Sequence, residues 1–410
     1  MTGKSGVRFS SIITMSMNTV FFKKIGIFVT ALFFLWPLAQ AEAKMEVAGW
    51  IPWWSEEAGA RSTMDNIDKL DTIYPFVFEV NLDGTLKNRV NFKDSHWDKL
   101  FRKAKSERVD IIPTVAWFDG DAIHAVLSNE TTRKRHVTEI VKMVKKYRFA
   151  GVNIDYESKL GETIDYYSNF LEELKKELGK KDLTCTIEAR TPPDSRWRTV
   201  PDEIKYANDY KAMNKHCDWV EIMAYDQQRA DLKLNDKRKG VPYMPVADNE
   251  WVTKVLELAL EDIDEDKIML GVATYGRAWD VTVAPDWYRD YEKVATLNSP
   301  RILELSKKYN SKIGRSEGGE AVISYFPDDS PWKVLNQLSA PKGTPKGYEA
   351  TAKALLVATH AKMEIPVRFV TWSDSEAIED KVNLAEKYDL RGVAIFKIDG
   401  EEDQGLWKLF

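Results

Sequence analysis

Cysteine and histidine are scarce in this chain: two cysteines, Cys185 and Cys217, and five histidines stand among 410 residues. Neither cysteine has a partner at metal-ligand spacing and no HExxH occurs, so no metal site and no cofactor is expected. So low a cysteine content also excludes a disulfide-dense scaffold. The two cysteines fall near the starts of neighbouring predicted strands, where pairing is sterically open, but free buried thiols are the preferred reading. Neither G-x-S-x-G nor a phosphate-cradling glycine loop is present. A dominant charge is missing too: 59 basic residues against 64 acidic ones leave a net charge of −5. Without a basic footprint, nucleic acid is not an expected partner.

Long apolar runs are equally rare. The exception follows Lys23-Lys24 and covers residues 25–38, ending in the A-x-A cleavage pattern Ala39-Gln40-Ala41. It is shorter than the roughly 20 residues of a membrane span, and Pro37 interrupts it. Residues 1–43 therefore read as a signal peptide or N-terminal anchor, with Met15 or Met17 as alternative starts. The mature part, 44–410, is expected outside the cytoplasm as a monomer. It would touch a membrane or the cell wall through an uncleaved signal.

What is abundant is core material, with 44% hydrophobic and 11% aromatic residues. Short apolar runs at 47–53, 72–80, 109–117, 151–157, 183–189, 219–225, 268–275 and 392–398 alternate with amphipathic helical stretches. Helices are predicted at 136–147, at 164–178 with Gly179 as its stop, and after a capping box read at Ser373-x-x-Glu376. Eight strands alternating with helices predict a (β/α)₈ TIM barrel. The interval before the eighth strand is too long for a βα loop. It reads as a small α+β insertion, 280–369, between strands seven and eight.

Residues 151–157, Gly-Val-Asn-Ile-Asp-Tyr-Glu, are the most informative segment. Side chains alternate along a strand, so Asn153, Asp155 and Glu157 share the face opposite Val152, Ile154 and Tyr156. Polar acceptors on a buried strand are costly unless partnered or used. In a barrel of this kind the site lies at the C-terminal strand ends. Glu157, last on its strand, is placed to act as an acid, and Asp155, one step deeper, to control it or to hold and polarise a substrate group. Tyr225 and Asp226 end the sixth strand, where Met223 and Tyr225 share parity.

This segment closely resembles the fourth-strand signature D-G-x-D-x-D-x-E of glycoside hydrolase family 18. Met223-Ala224-Tyr225-Asp226 resembles the family's sixth-strand motif, and Tyr275-Gly276-Arg277 the end of its seventh strand. The 280–369 interval looks like its chitinase insertion domain. The resemblance implies a retaining, substrate-assisted glycosidase acting on β-1,4 linkages after N-acetylglucosamine, with peptidoglycan or chitin as partner. In that scheme the substrate's 2-acetamido oxygen attacks the anomeric carbon, and the family is an exception to the two-carboxylate mechanism. Glu157 would be acid and later base, Asp155 and Tyr225 would hold the acetamido group, and Met223, Asp226 and Arg277 would shape the substrate pocket.

Three departures stand out: Ala150 and Asn153 replace the first two aspartates, and Phe396 stands where the family usually has a sugar-stacking tryptophan. G-V-N-I-D resembles the branch of bacterial spore-cortex and cell-wall N-acetylglucosaminidases, which favours peptidoglycan. Asn153 and Phe396 remain expected substrate contacts. Trp53 and Trp279, near strand ends, are candidate sugar platforms, as are Trp54, Trp117 and Trp372. The alternative from another class is a non-hydrolytic glycan-binding protein on the same barrel, disfavoured by the intact Glu157.

Overall fold

Apolar runs without polar alternation suit strands covered on both faces, and the chain uses them that way. The computed structural model describes residues 45–410, so the expected export segment lies outside the described residues. Eight parallel strands form a closed barrel: β1 (Glu46–Pro52), β2 (Thr72–Val80), β3 (Thr114–Trp117), β4 (Gly151–Tyr156), β5 (Asp182–Glu188), β6 (Trp219–Met223), β7 (Ile268–Ala273) and β8 (Gly392–Phe396). Each pairs with its neighbours in chain order, and β1 closes the ring against both β2 and β8. This is the expected TIM barrel. Among the described residues no helix is long and apolar enough to cross a membrane.

Strand parity sorts the side chains into two cores. Val152, Ile154 and Tyr156 of β4 face outward into the layer between strands and helices. Ala48, Trp50, Tyr74, Phe76 and Ala394 form a separate inner cluster. The helix Ile164–Leu178 has the expected bounds. The helix expected at 136–147 is Glu130–Tyr147. Its first turns carry no apolar periodicity, and Asn129 caps them by accepting from the backbone N–H of Thr131 and Thr132. The cap expected at Ser373 belongs to Asp374, whose carboxylate accepts from the Ala377 N–H at 3.0 Å. Ser373 instead donates its hydroxyl to Glu320 at 2.9 Å.

After β7 the chain leaves the barrel for a five-stranded antiparallel sheet, ordered Tyr288–Asn298, Tyr275–Val283, Ile365–Trp372, Ala321–Tyr325 and Gly314–Arg315. The helices Ser299–Lys308 and Glu349–Ala361 accompany it. The sheet begins five residues before and ends three residues after the 280–369 interval read from sequence. Tyr275 and Gly276 pair with Asn298 and Trp372, not with barrel strands, so they open the second sheet and do not end β7.

Cys185 and Cys217 are disulfide-bonded, with Cα atoms 6.1 Å apart, which corrects the expectation of free thiols. Cys185 lies on β5 and Cys217 immediately before β6. Both belong to the outer core.

Candidate active site

The C-terminal mouth of the barrel holds a cleft of about 680 Å³. Glu157 follows β4, and its backbone N–H extends the ladder to the Trp117 carbonyl at 2.9 Å. Ser158 then adopts a left-handed backbone with φ 58°, which turns the chain sharply. Gly120 makes room for that turn: a Cβ there would lie 2.3 Å from the Ser158 carbonyl oxygen. The turn folds Lys159 back beneath the site. Its fully buried ammonium donates to the Tyr156 carbonyl, sits 4.7 Å above the Tyr167 ring and lies 3.9 Å from Glu188.

This setting controls the protonation of Glu157. Burial pushes the Glu157 carboxyl up to about 7, the charges of Glu188 and Asp226 push the same way, and Lys159 opposes them. Asp155, only 4% exposed, is driven up by burial first and then by Glu157. One of its oxygens is buried without any hydrogen-bond partner, ready to accept from or donate to a bound group. Lys159 is pushed down by burial, while the surrounding carboxylates hold its proton. Lys159 and Glu188 were not anticipated from sequence. For Glu188 the signal was parity, since it follows Thr186 on β5; Lys159 lies past the turn at Ser158, where strand alternation no longer applies.

β6 and the antiparallel sheet supply the opposite wall. Arg277 spans both oxygens of Asp226, at 2.8 and 2.7 Å from Nη2, and Tyr275 donates its hydroxyl to Asp226 at 2.9 Å. Asp226 is thereby fixed beside Tyr225. Burial, then the charges of Tyr275, Asp155 and Glu157, push the Tyr225 phenol well up, so it remains a neutral hydrogen-bond donor. Phe396 stacks on Tyr225 with centroids 5.7 Å apart and rings 16° inclined. Phe396 also meets Trp50, Phe76 and Tyr275 edge-on.

Of the residues singled out by sequence, Asp155, Glu157, Met223, Tyr225, Asp226, Arg277, Phe396 and Trp53 line the cleft. Two do not. Asn153 is fully buried one layer below Asp155 and does not reach the cleft. It accepts from Thr114 at 2.8 Å and donates to Thr184, Thr186 and Glu221 at 2.7, 2.9 and 3.1 Å. Trp279 packs into the core of the antiparallel sheet at 4% exposure, because it lies inside that sheet and not at a barrel strand end. Trp117 and Trp372 are core residues as well. Trp54, 48% exposed, lines the cleft, as does Phe118 at 52%, which sequence reasoning missed.

An acid with a pKa near neutrality, a carboxyl with an unsatisfied oxygen, a neutral phenol donor and aromatic walls together suit proton transfer to a sugar-bearing leaving group. Comparisons with known proteins agree. The chain is 25% identical over 297 residues to the uncharacterized glycosylase YvbX of Bacillus subtilis, covering 71% of this chain and 69% of that one. It is 23% identical over 328 residues to a cortical fragment-lytic enzyme of Bacillus cereus, covering 79% of this chain and 63% of the relative's length. The crystal structure of the Bacillus cereus spore cortex-lytic enzyme SleL shares the fold, with a TM-score of 0.64 and 21% identity over 89% of this chain and 73% of that one. The family model described as glycosyl hydrolases family 18 matches residues 48–401, nearly all of the described chain: the protein is a glycosidase and belongs to that family.

Proposed function

We propose that the protein hydrolyses β-1,4 linkages after N-acetylglucosamine in peptidoglycan, outside the cytoplasm, with retention at the anomeric carbon. The observation that carries the reading is Glu157, a carboxyl raised to about 7 at the cleft mouth beside Asp155, whose buried oxygen has no partner. Glu157 protonates the leaving oxygen and then deprotonates the attacking water. Asp155 and Tyr225 grip the 2-acetamido group so that its oxygen attacks the anomeric carbon. Arg277 keeps Asp226 in place at the pocket wall. Peptidoglycan is favoured over chitin by the cortical fragment-lytic relatives, and export by the apolar run with its A-x-A end.

The test is NMR of the first product formed from a chitooligosaccharide or a purified muropeptide polymer. An initial β-anomer is expected; an initial α-anomer refutes acetamido participation. Glu157→Gln should cut turnover by about 10³-fold, within the range of general acid catalysis. Undiminished product release by that variant would remove Glu157 as the acid, whereas glycan binding with no product from the parent chain would leave binding without hydrolysis as the function.

A further inference from the structure

A second cavity, of about 510 Å³, opens on the far side of Glu188. Thr186 lines the cleft, while Glu188, two residues on along β5 and on the same face, lines this second cavity. Glu188 also accepts from the Ser158 N–H at 3.0 Å, one residue beyond Glu157. Successive same-face residues of β5 thus line the two spaces, Thr186 the cleft and Glu188 the second cavity.

The walls of the second cavity carry a charge excess. Arg190, Arg196, Lys205 and Arg229 line it, and Glu188 is its one acidic residue; Lys205 is 3.9 Å from Glu203, and the Arg229 guanidinium lies 5.3 Å from the Tyr291 ring centroid. Glu188 is already engaged: besides Ser158, Asn208 donates to it at 3.0 Å and Lys159 lies 3.9 Å away. Elsewhere the arginines of this chain meet carboxylates, as Arg277 meets Asp226, Arg315 meets Asp374 and Arg368 meets Asp280. Among the described residues Arg190, Arg196 and Arg229 have no carboxylate within ion-pair distance. Arg190 is held ready, its guanidinium 3.7 Å from the Tyr206 ring centroid and 4.2 Å from that of Tyr210, with one N–H donated to the Asn208 carbonyl at 2.7 Å. Arg196 lies 5.0 Å from the ring of Trp197. Stacked guanidinium groups keep in-plane N–H donors free, and their fork geometry matches a carboxylate.

We propose that this cavity is a subsite for a carboxylate carried by the glycan on a sugar flanking the cleaved bond. The substrate class is then an acid-substituted amino-sugar polymer, in preference to a neutral one. The proposal rests on the glycosidase reading, and it adds the feature that selects between peptidoglycan and chitin. An uncharged chain leaves the guanidinium groups facing water, whereas a lactyl or peptide carboxylate replaces that water with charge-assisted hydrogen bonds.

The experiment measures binding to Glu157→Gln, which removes turnover from the readout. Three glycans of equal length are compared: a chitin tetrasaccharide, an alternating N-acetylglucosamine and N-acetylmuramic acid tetrasaccharide with free lactyl carboxylates, and the same glycan bearing its peptides. At least one acidic glycan should bind about tenfold more tightly than the neutral one, as one charge-assisted hydrogen bond allows. Which one does so identifies the carboxylate recognised. Adding Arg196→Gln and Arg229→Gln, both on exposed side chains, should remove that preference, and raising the salt should shrink it. Arg301→Gln, on the helix Ser299–Lys308, is the control for a general loss of positive charge. Equal binding of all three glycans, or a preference that survives the double substitution, overturns the subsite. Hydrolysis by the unsubstituted protein is read separately. Failure to cleave any of the three refutes the glycosidase reading, and the binding ratio still decides the subsite.

Discussion

The amide of Asn153 donates to the carboxyl of Glu221 at 3.1 Å inside the barrel, below the floor of the cleft. Glu221 is fully buried and also accepts from the Tyr74 hydroxyl at 2.6 Å, which in turn accepts from the Trp219 indole at 2.9 Å. Asn153 is therefore a structural bridge beneath Asp155. An amide here supplies donors to Glu221, whereas a carboxylate in its place would face another buried carboxyl.

Glu221 makes stability depend on pH. Burial pushes its carboxyl from 4.5 up to about 7. The folded chain binds this proton more tightly than the unfolded chain, so stability falls as pH rises from about 4.5 to about 7 and levels off beyond. Glu221→Gln keeps the shape and should flatten that slope, with a relative gain on the order of 3 kcal/mol at the alkaline end. Urea unfolding at pH 5 and pH 8 checks it; an unchanged difference between the two pH values contradicts the assignment.

The proton on Glu157 sets the alkaline limb of activity. Activity requires the protonated acid, so kcat/KM should fall as pH rises through about 7. Glu188 is the charge that contributes most to this raised value after burial. Glu188→Gln should move the limb to lower pH, because the neighbouring negative charge is lost while Lys159 stays. A pH–rate profile that shifts upward refutes this electrostatic order.

Gly120 holds the turn that aims Glu157. A Cβ would press to within 2.3 Å of the Ser158 carbonyl, a backbone atom that can yield only by moving the acid. Gly120→Ala should cost about 1–3 kcal/mol and lower kcat far more than it raises KM. Thermal unfolding together with steady-state kinetics checks both halves.

The Cys185–Cys217 bond closes a loop with a sequence separation of 32. Replacing both cysteines by alanine should destabilise the fold by about 4 kcal/mol on the chain-entropy estimate. Activity at low temperature should persist, since neither residue lines the cleft. Denaturant titration of the double variant, compared with the reduced parent, checks the figure.

Much of the site could be read locally. Alternation along residues 151–157 was enough to place Asp155 and Glu157 on one face, and barrel logic put them at the mouth. The same alternation misled for Asn153, because parity reports the face and not the depth: one step of strand separates the cleft from the buried network. Trp279 misled for a related reason. Its position suggested a strand end, but Tyr275–Val283 pairs with Ile365–Trp372, a partner some ninety residues away that no local window contains.

Periodicity, capping residues and turn chemistry are short-range, and from them the barrel, the order of its strands and the shared face of Asp155 and Glu157 follow. The raised pKa of Glu157 depends instead on burial, on the charges of Glu188 at the end of β5 and Asp226 after β6, and on the opposing Lys159 after β4. The Cys185–Cys217 bond, the Asn153–Glu221 bridge and the basic cavity beyond Glu188 likewise join residues from different strands and loops. Burial and proximity create these properties, and both exist only once the ring of eight strands has closed.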